Sequence, residues 1–152
     1  MDLSGAYHLP AAPLGVWQAL NDAGLLHRCL DGCEALERLS DTTFSVRLKV
    51  RAGPVQAVFT GTLDMVDPNP PFSYTLAGQG KGGAAGFVKG TARIMLSEAE
   101  AGTTTVRYQA QVTVGGRLAA LGNRLVGNAA DQMVQTFFRR LATALETERK
   151  RN

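Results

Sequence analysis

Two cysteines, two histidines, three tyrosines and a glycine-rich run are the places where this sequence could do chemistry. Cys29 and Cys33 stand four apart. That spacing is neither Cys-x-x-Cys nor half of a zinc set, because no second pair of ligands exists. A thiol nucleophile needs a neighbouring base, and neither cysteine has one nearby in the sequence. Cys29 also falls where a buried apolar residue fits, which favours packing. His8 falls on the polar side of an opening strand and His27 in a short helix, where a lone histidine is structural or exposed. No Gly-x-Ser-x-Gly elbow occurs, and no two carboxylates are forced together on one dry face. The run Gly78-Gln79-Gly80-Lys81-Gly82-Gly83 literally contains Gly-x-Gly-x-x-Gly. A dinucleotide site would need a helix directly after it to receive the pyrophosphate, whereas Phe87-Val88-Lys89-Gly90 leads into another strand. With five glycines between Gly78 and Gly86, the run is expected to be a mobile hairpin loop: a flexible turn, or a cover over a pocket mouth. No catalytic residue and no metal ligand are assigned.

The elements that must position these residues follow from periodicity. Leu3, Gly5, Tyr7 and Leu9 lie on one face of a first strand. Pro10 and Pro13 end it and open a helix, since proline suits a first helical turn. Val16, Trp17 and Leu20 give that helix its buried side. Asn21 or Asp22 caps a second short helix through Leu25, Leu26 and Cys29. The period then becomes two. Leu36 and Leu39 sit in a short strand. Phe44, Val46, Leu48 and Val50 alternate with Ser45, Arg47, Lys49 and Arg51, giving one dry and one wet face. Val55, Ala57, Phe59, Gly61, Leu63 and Met65 continue the dry side, as do Phe72, Tyr74 and Leu76. So do Val88, Ala92, Ile94 and Leu96, and then Val106, Tyr108, Ala110, Val112 and Val114. Gly53-Pro54, Asn69-Pro70-Pro71 and Gly102 mark turns. From Leu118 to Leu145 the apolar residues recur at three- and four-residue steps, a single helix of 28 residues or about 42 Å. The fold class is therefore α+β: about seven antiparallel strands curved around one long C-terminal helix, with two short helices after the first strand.

That helix is unequal along its length. Gly122 and Gly127 lie inside it, each costing about 1 kcal/mol relative to alanine, and Ala119, Ala120, Ala129 and Ala130 are also small. Phe137, Phe138 and Leu141 follow. The small half either lets the helix approach the sheet closely or leaves room for a ligand between them.

Composition bounds the answer further. The chain has 152 residues, one domain over residues 1–152, with 45% apolar and 19% charged residues, as an ordered globular chain should. The net charge of +3 divides into −3 over residues 1–76 and +6 over residues 77–152. Arg139, Arg140, Arg149, Lys150 and Arg151 crowd the end. They suit a solvated helix C-terminus, or contact with an acidic partner or an anionic membrane surface. Basic residues are not interleaved with aromatics, so nucleic acid is not expected. The first residues lack the pattern of a secretory signal and no apolar run reaches about 18 residues. A cytoplasmic protein with free thiols is expected.

Five segments together carry a resemblance: Arg28-Cys29-Leu30-Asp31-Gly32-Cys33-Glu34, Gly53-Pro54-Val55 with Phe59-Thr60-Gly61, Asp67-Pro68-Asn69-Pro70-Pro71, the block from Gly78 to Gly90, and Gly115-Gly116-Arg117-Leu118-Ala119-Ala120-Leu121-Gly122. In this order they resemble the CoxG family, the G subunits of carbon monoxide dehydrogenase, within the START-like SRPBCC superfamily, over about Leu3 to Leu145. The resemblance implies a helix-grip fold, with a deep apolar cavity between the sheet and the helix. It implies an accessory role beside molybdenum-containing hydroxylases of the carbon monoxide dehydrogenase type, and a hydrophobic ligand for which a quinone is the leading candidate. Asp31 stands where the family usually has proline. Some relatives also carry a long C-terminal extension that includes a membrane anchor; this sequence shows none, so any membrane contact is expected to be peripheral.

The expectation is a non-enzymatic carrier of an apolar, quinone-like or lipid-like molecule, without a covalent cofactor. Its lining is expected from Val46, Leu48, Ala57, Phe59, Tyr74, Leu76 and Tyr108 on the sheet and Leu118, Leu121, Gly122, Leu125, Ala129 and Met133 on the helix. Apolar walls supply affinity, and Tyr74 or Tyr108 can orient a carbonyl. Gly80, Lys81, Gly82, Gly83 and Gly86 are expected to gate entry. An assembly factor docking on hydroxylase subunits is the alternative, and a small START-like enzyme comes last. Homodimerisation is left open.

Overall fold

The computed structural model describes residues 1–151. β1 (Asp2–Leu9) alternates outward and inward side chains and ends on buried Leu9. α1 (Pro13–Leu20) opens on proline, whose missing N–H has no helical partner at that position in any case. α2 (Ala23–Cys29) is capped by Asp22, whose carboxylate accepts from the Leu25 N–H at 3.2 Å. Six strands follow: β2 (Cys33–Arg38), β3 (Thr43–Ala52), β4 (Val55–Asn69), β5 (Ser73–Lys81), β6 (Phe87–Glu98) and β7 (Thr104–Val114). All pairings are antiparallel, in the order β1-β7-β6-β5-β4-β3-β2. The meander runs from β2 to β7, and β1 closes the β7 edge.

The chain ends in α3 (Gly116–Ala120) and α4 (Asn123–Arg151). α4 packs against β1 at one edge of the sheet and against β3 near the other. One helix can touch both only if the sheet curls around it. α2 packs on the far end of α4 and on β2.

Four details differ from the periodicity. The expected single helix is two helices. Gly122, at φ +89°, is a left-handed residue that stops α3, and the Gly122 N–H donates to the Ala119 carbonyl at 3.1 Å. Leu39 lies beyond β2, 60% exposed, and Phe72 lies before β5, 53% exposed. Both belong to turns, which expose apolar side chains that a strand's alternation would have buried. Finally, Gly78, Gly80 and Lys81 are part of β5, and the turn proper is Gly82–Gly86, with a single 3₁₀ turn at Gly83–Ala85.

The interior is packed at its two ends. One cluster gathers Leu9, Val16, Cys29, Val106, Phe138, Leu141 and Leu145. A smaller one gathers Ala52, Val55, Phe59, Ala85, Leu118 and Val126. Between them the sheet and α4 stand apart.

Candidate functional site

The gap between the two clusters is an apolar cavity in two lobes, of about 330 Å³ and about 300 Å³. Leu63, Leu76, Ala92, Ala110, Val112 and Met133 border both lobes. The sheet supplies the floor because residues of like parity on β3 to β7 face inward. α4 supplies the roof. Over the first lobe its side chains are Val126, Ala129, Ala130 and Met133, too small or too flexible to fill the space down to the sheet; Met133, Val134, Phe137 and Phe138 border the second. Volumes of this size suit small-molecule sites, which run from about 300 to 1,000 Å³.

Of the residues expected to line the site, Val46, Leu48, Leu76, Leu118, Ala129 and Met133 border the first lobe. Tyr74 and Tyr108, with Leu76 and Met133, border the second. Five lie elsewhere. Phe59 is buried, but its ring is turned toward the glycine turn: a Cβ on Gly82 would meet it at 2.7 Å. Ala57 and Leu121 pack around the same small cluster. Leu125 is 38% exposed and leans on Gly53 outside the cavity. Gly122 is exposed, and a Cβ there would meet nothing within 4 Å. For Leu121, Gly122 and Leu125 the reason is the break at Gly122, which takes the residues around it off the face that α4 presents to the sheet.

The expected gate also changes. Gly80 borders the first lobe from within β5, while Lys81, Gly82, Gly83 and Gly86 border neither lobe. The turn is anchored. The Gly82 N–H donates to the Gly86 carbonyl at 2.8 Å, and Ala85 is buried. A Cβ on Gly86 would sit 1.8 Å from the Gly115 carbonyl oxygen, so the glycines here allow backbone to pack on backbone. After this turn comes β6 rather than a helix.

Residues outside the expected set complete the walls. Val50, Leu63, Val88 and Val112 belong to the alternating dry faces, and period two alone places them inward. Met1 carries no such signal in the sequence. Its amino group donates to the Val112 carbonyl at 2.7 Å, which brings its side chain to the first lobe, near Gly127.

The chemistry available is narrow. In the second lobe the Tyr74 ring meets Trp17 edge-on at 5.3 Å, and the Tyr108 ring faces Tyr7 at 6.4 Å. Burial raises the phenol pKa of both. Neither hydroxyl has a hydrogen-bond partner among the described residues, yet no side-chain polar atom is both sealed off and unpartnered. Both residues border the second lobe, and neither hydroxyl is sealed off from open space. The Asn21 amide, also bordering this lobe, donates to the Trp17 carbonyl at 2.9 Å. Cys29 is buried in the main cluster, and burial pushes its thiol pKa up despite Arg28 and Arg140. Burial also raises that of Cys33, whose Sγ donates to the Ala35 carbonyl at 3.4 Å. Neither is an activated nucleophile. His8 is exposed on β1 and shares a hydrogen bond with Thr105 at 3.1 Å. Among the described residues no three His, Cys, Asp or Glu side chains cluster as a metal site, and no helix is long and apolar enough to cross a membrane.

A seven-stranded antiparallel sheet wrapped on a C-terminal helix, with an apolar cavity between, is a START-like fold. A START superfamily protein from Mycobacterium smegmatis shares it at TM-score 0.74 and 12% identity, over 96% of this chain and 97% of that one. A protein from Thermus thermophilus does so at TM-score 0.71 and 15% identity, over 97% and 99%. A conserved protein from Geobacillus kaustophilus is more similar, at TM-score 0.90 and 27% identity, over 97% and 96%. No curated protein matches the sequence. The model of the CoxG family, the G subunits of carbon monoxide dehydrogenase, matches residues 5–146, and the chain belongs to that family.

Proposed function

We propose that this chain carries a hydrophobic small molecule, quinone-like or lipid-like, in service of a molybdenum-containing hydroxylase of the carbon monoxide dehydrogenase type. The observation that carries the proposal is the two-lobed apolar cavity between α4 and the sheet. Burying a ligand there removes apolar area from water on both surfaces, at roughly 25 cal/mol per Å². Tyr74 and Tyr108 offer hydroxyl donors to a ligand carbonyl or hydroxyl in the second lobe. The family membership supports the partner. The raised thiol pKa values and the scarcity of polar groups in the walls support binding rather than catalysis, with redox chemistry done by the partner and no covalent cofactor here. The cytoplasm is the proposed compartment, with any membrane contact peripheral.

The test is to purify the chain gently, extract it with organic solvent and identify the extract by mass spectrometry. A quinone or lipid at near-stoichiometric amount is expected. An empty protein that also fails to bind quinones and fatty acids overturns the proposal.

A docking role on the hydroxylase is favoured separately by the surface charge. Only two ion pairs form among the described residues, Arg47–Glu34 and Arg140–Asp31, so most basic side chains of the C-terminal half lack an acidic partner. Co-purification with the hydroxylase subunits, weakened by salt, is expected. No association, with or without ligand, removes this role.

A further inference from the structure

The cavity has a lateral opening whose position follows from strand lengths. β2 begins at Cys33, which pairs with Leu48, and one more bond runs from the Lys49 N–H to the Gly32 carbonyl at 2.8 Å. β3 continues to Ala52, so its last residues have a strand neighbour only on the β4 side. In an antiparallel ladder, alternate residues direct both backbone groups the same way. The Arg51 N–H and carbonyl thus face the open side, as those of Lys49 do. α4 crosses this gap with Ala129, Gln132, Met133 and Thr136. The outcome is a polar cleft of about 430 Å³ between that stretch of α4 and Lys49, Arg51, Asp31 and Gly32. Arg51, Ala129 and Met133 border both the cleft and the first lobe, and Met133 borders the second lobe as well.

The charges at the cleft do not cancel. The Asp31 carboxylate is paired with Arg140 at 3.3 Å, and Glu34, further along β2, with Arg47 at 2.8 Å. Lys49 and Arg51 have no acidic partner among the described residues. An apolar cavity therefore opens past a flexible thioether and an alanine onto two free cations.

We infer that this cleft, rather than the glycine turn, is the entrance of the cavity, and that it seats the head of a single-chain amphiphile carrying a carboxylate or phosphate. Lys49 and Arg51 hold the anion, and the tail enters past Ala129 and Met133. The inference rests on the carrier proposal and narrows its ligand. An ionised head cannot follow the tail far inward, because Arg51, at the mouth, carries the one charged side chain among the described residues that border either lobe. At the mouth it keeps water and gains the guanidinium fork, which suits planar carboxylates and phosphates. The Met133 side chain, unbranched and adaptable, can yield as a tail passes.

Three probes with the same tail test this on the delipidated chain: oleate, oleoyl lysophosphatidate and oleyl alcohol. At low salt the two anions are expected to bind about tenfold more tightly than the alcohol. Preference for one anion over the other identifies the head chemistry, and either supports the inference. The double variant Lys49→Gln/Arg51→Gln should bring the anions to the level of the alcohol while leaving alcohol binding unchanged. Equal affinity for all three in the unaltered chain, or a preference that survives in the double variant, overturns the head site and leaves the carrier proposal standing. Uptake of none of them overturns the head site, and overturns the carrier proposal as well only if a quinone is also not bound. For the entrance, Thr136→Trp at the solvent rim of the cleft is expected to slow oleate uptake about tenfold in stopped flow, without loss of thermal stability. Ala84→Trp, on the glycine turn, should not. An unchanged rate in Thr136→Trp, or slowing by Ala84→Trp alone, overturns the lateral entrance.

Discussion

The two halves of α4 are built from one helical period and do opposite work. In the C-terminal half, Phe138, Leu141 and Leu145 are buried, and the Phe138 ring stacks on Tyr7 at 4.4 Å. Leu141 is 0% exposed and touches the cluster that also contains Leu9 and Val106. In the N-terminal half the inward positions hold Ala129, Ala130 and Met133, and a cavity lies beneath them. The helix is therefore anchored broadly through its C-terminal half and at Val126 near its start, and spans open space between them. Packing of the first kind supplies stability, because close-packed side chains lose both transfer energy and contacts when trimmed. The second kind leaves volume unfilled so that a ligand can fill it.

The sharpest way to break this contrast is to trim the anchor. Leu141→Ala is expected to cost about 2–5 kcal/mol, read as a lower denaturant midpoint at unchanged slope. A loss under about 1 kcal/mol would mean the anchored half is no better packed than the open half. The complementary change is Ala129→Phe, which adds volume where the structure has space. Quinone or fatty-acid affinity should fall about tenfold or more, equivalent to about 1.4 kcal/mol. Thermal stability should be kept within about 1 kcal/mol, since the new ring enters a void rather than a filled core. Large destabilisation with intact binding would place the void elsewhere.

Smaller still is the effect expected at the α3–α4 break. Gly122 has φ +89°, so Gly122→Ala should cost about 1 kcal/mol through backbone strain. Gly122→Asn, which tolerates the left-handed region better, should recover most of that. Ligand affinity should not change in either, because the residue borders neither lobe.

The dry faces of β3 to β7 were legible because period two is imposed by the pleat itself, residue by residue. That is why Val46, Leu48, Leu76 and Tyr108 fall on the cavity. The small half of the helix was legible for a similar reason: a run of alanine and glycine at inward positions cannot fill the space facing a sheet. The break at Gly122 was not legible from periodicity, since the apolar steps continue across it from Leu118 to Val126. A glycine after a helical turn can end a helix or merely weaken it, and the left-handed φ decides. Phe59 shows another limit. Alternation says that its ring points inward, but not that it turns toward Gly82 instead of the cavity. The cleft at Arg51 was illegible for a topological reason, because it exists only where β2 stops short of the end of β3. A charged residue on a wet strand face carries no mark of such an edge.

The smallest effect at neutral pH belongs to Tyr74. Its hydroxyl has no hydrogen-bond partner among the described residues, so Tyr74→Phe should alter stability at pH 7 by less than about 0.5 kcal/mol. The difference appears only in alkali. Burial raises the phenol pKa in the folded chain above the ordinary value, which is about 10 in the unfolded chain. The folded state therefore holds this proton more firmly than the unfolded state does. Its contribution is fully present below about pH 10 and is lost as pH climbs toward the raised folded value. Thermal melts of the unaltered chain should fall more steeply above pH 10 than those of Tyr74→Phe. Parallel curves would mean that Tyr74 titrates as an exposed phenol, and the second lobe would then be open to bulk water rather than enclosed between the anchored half of α4 and the sheet.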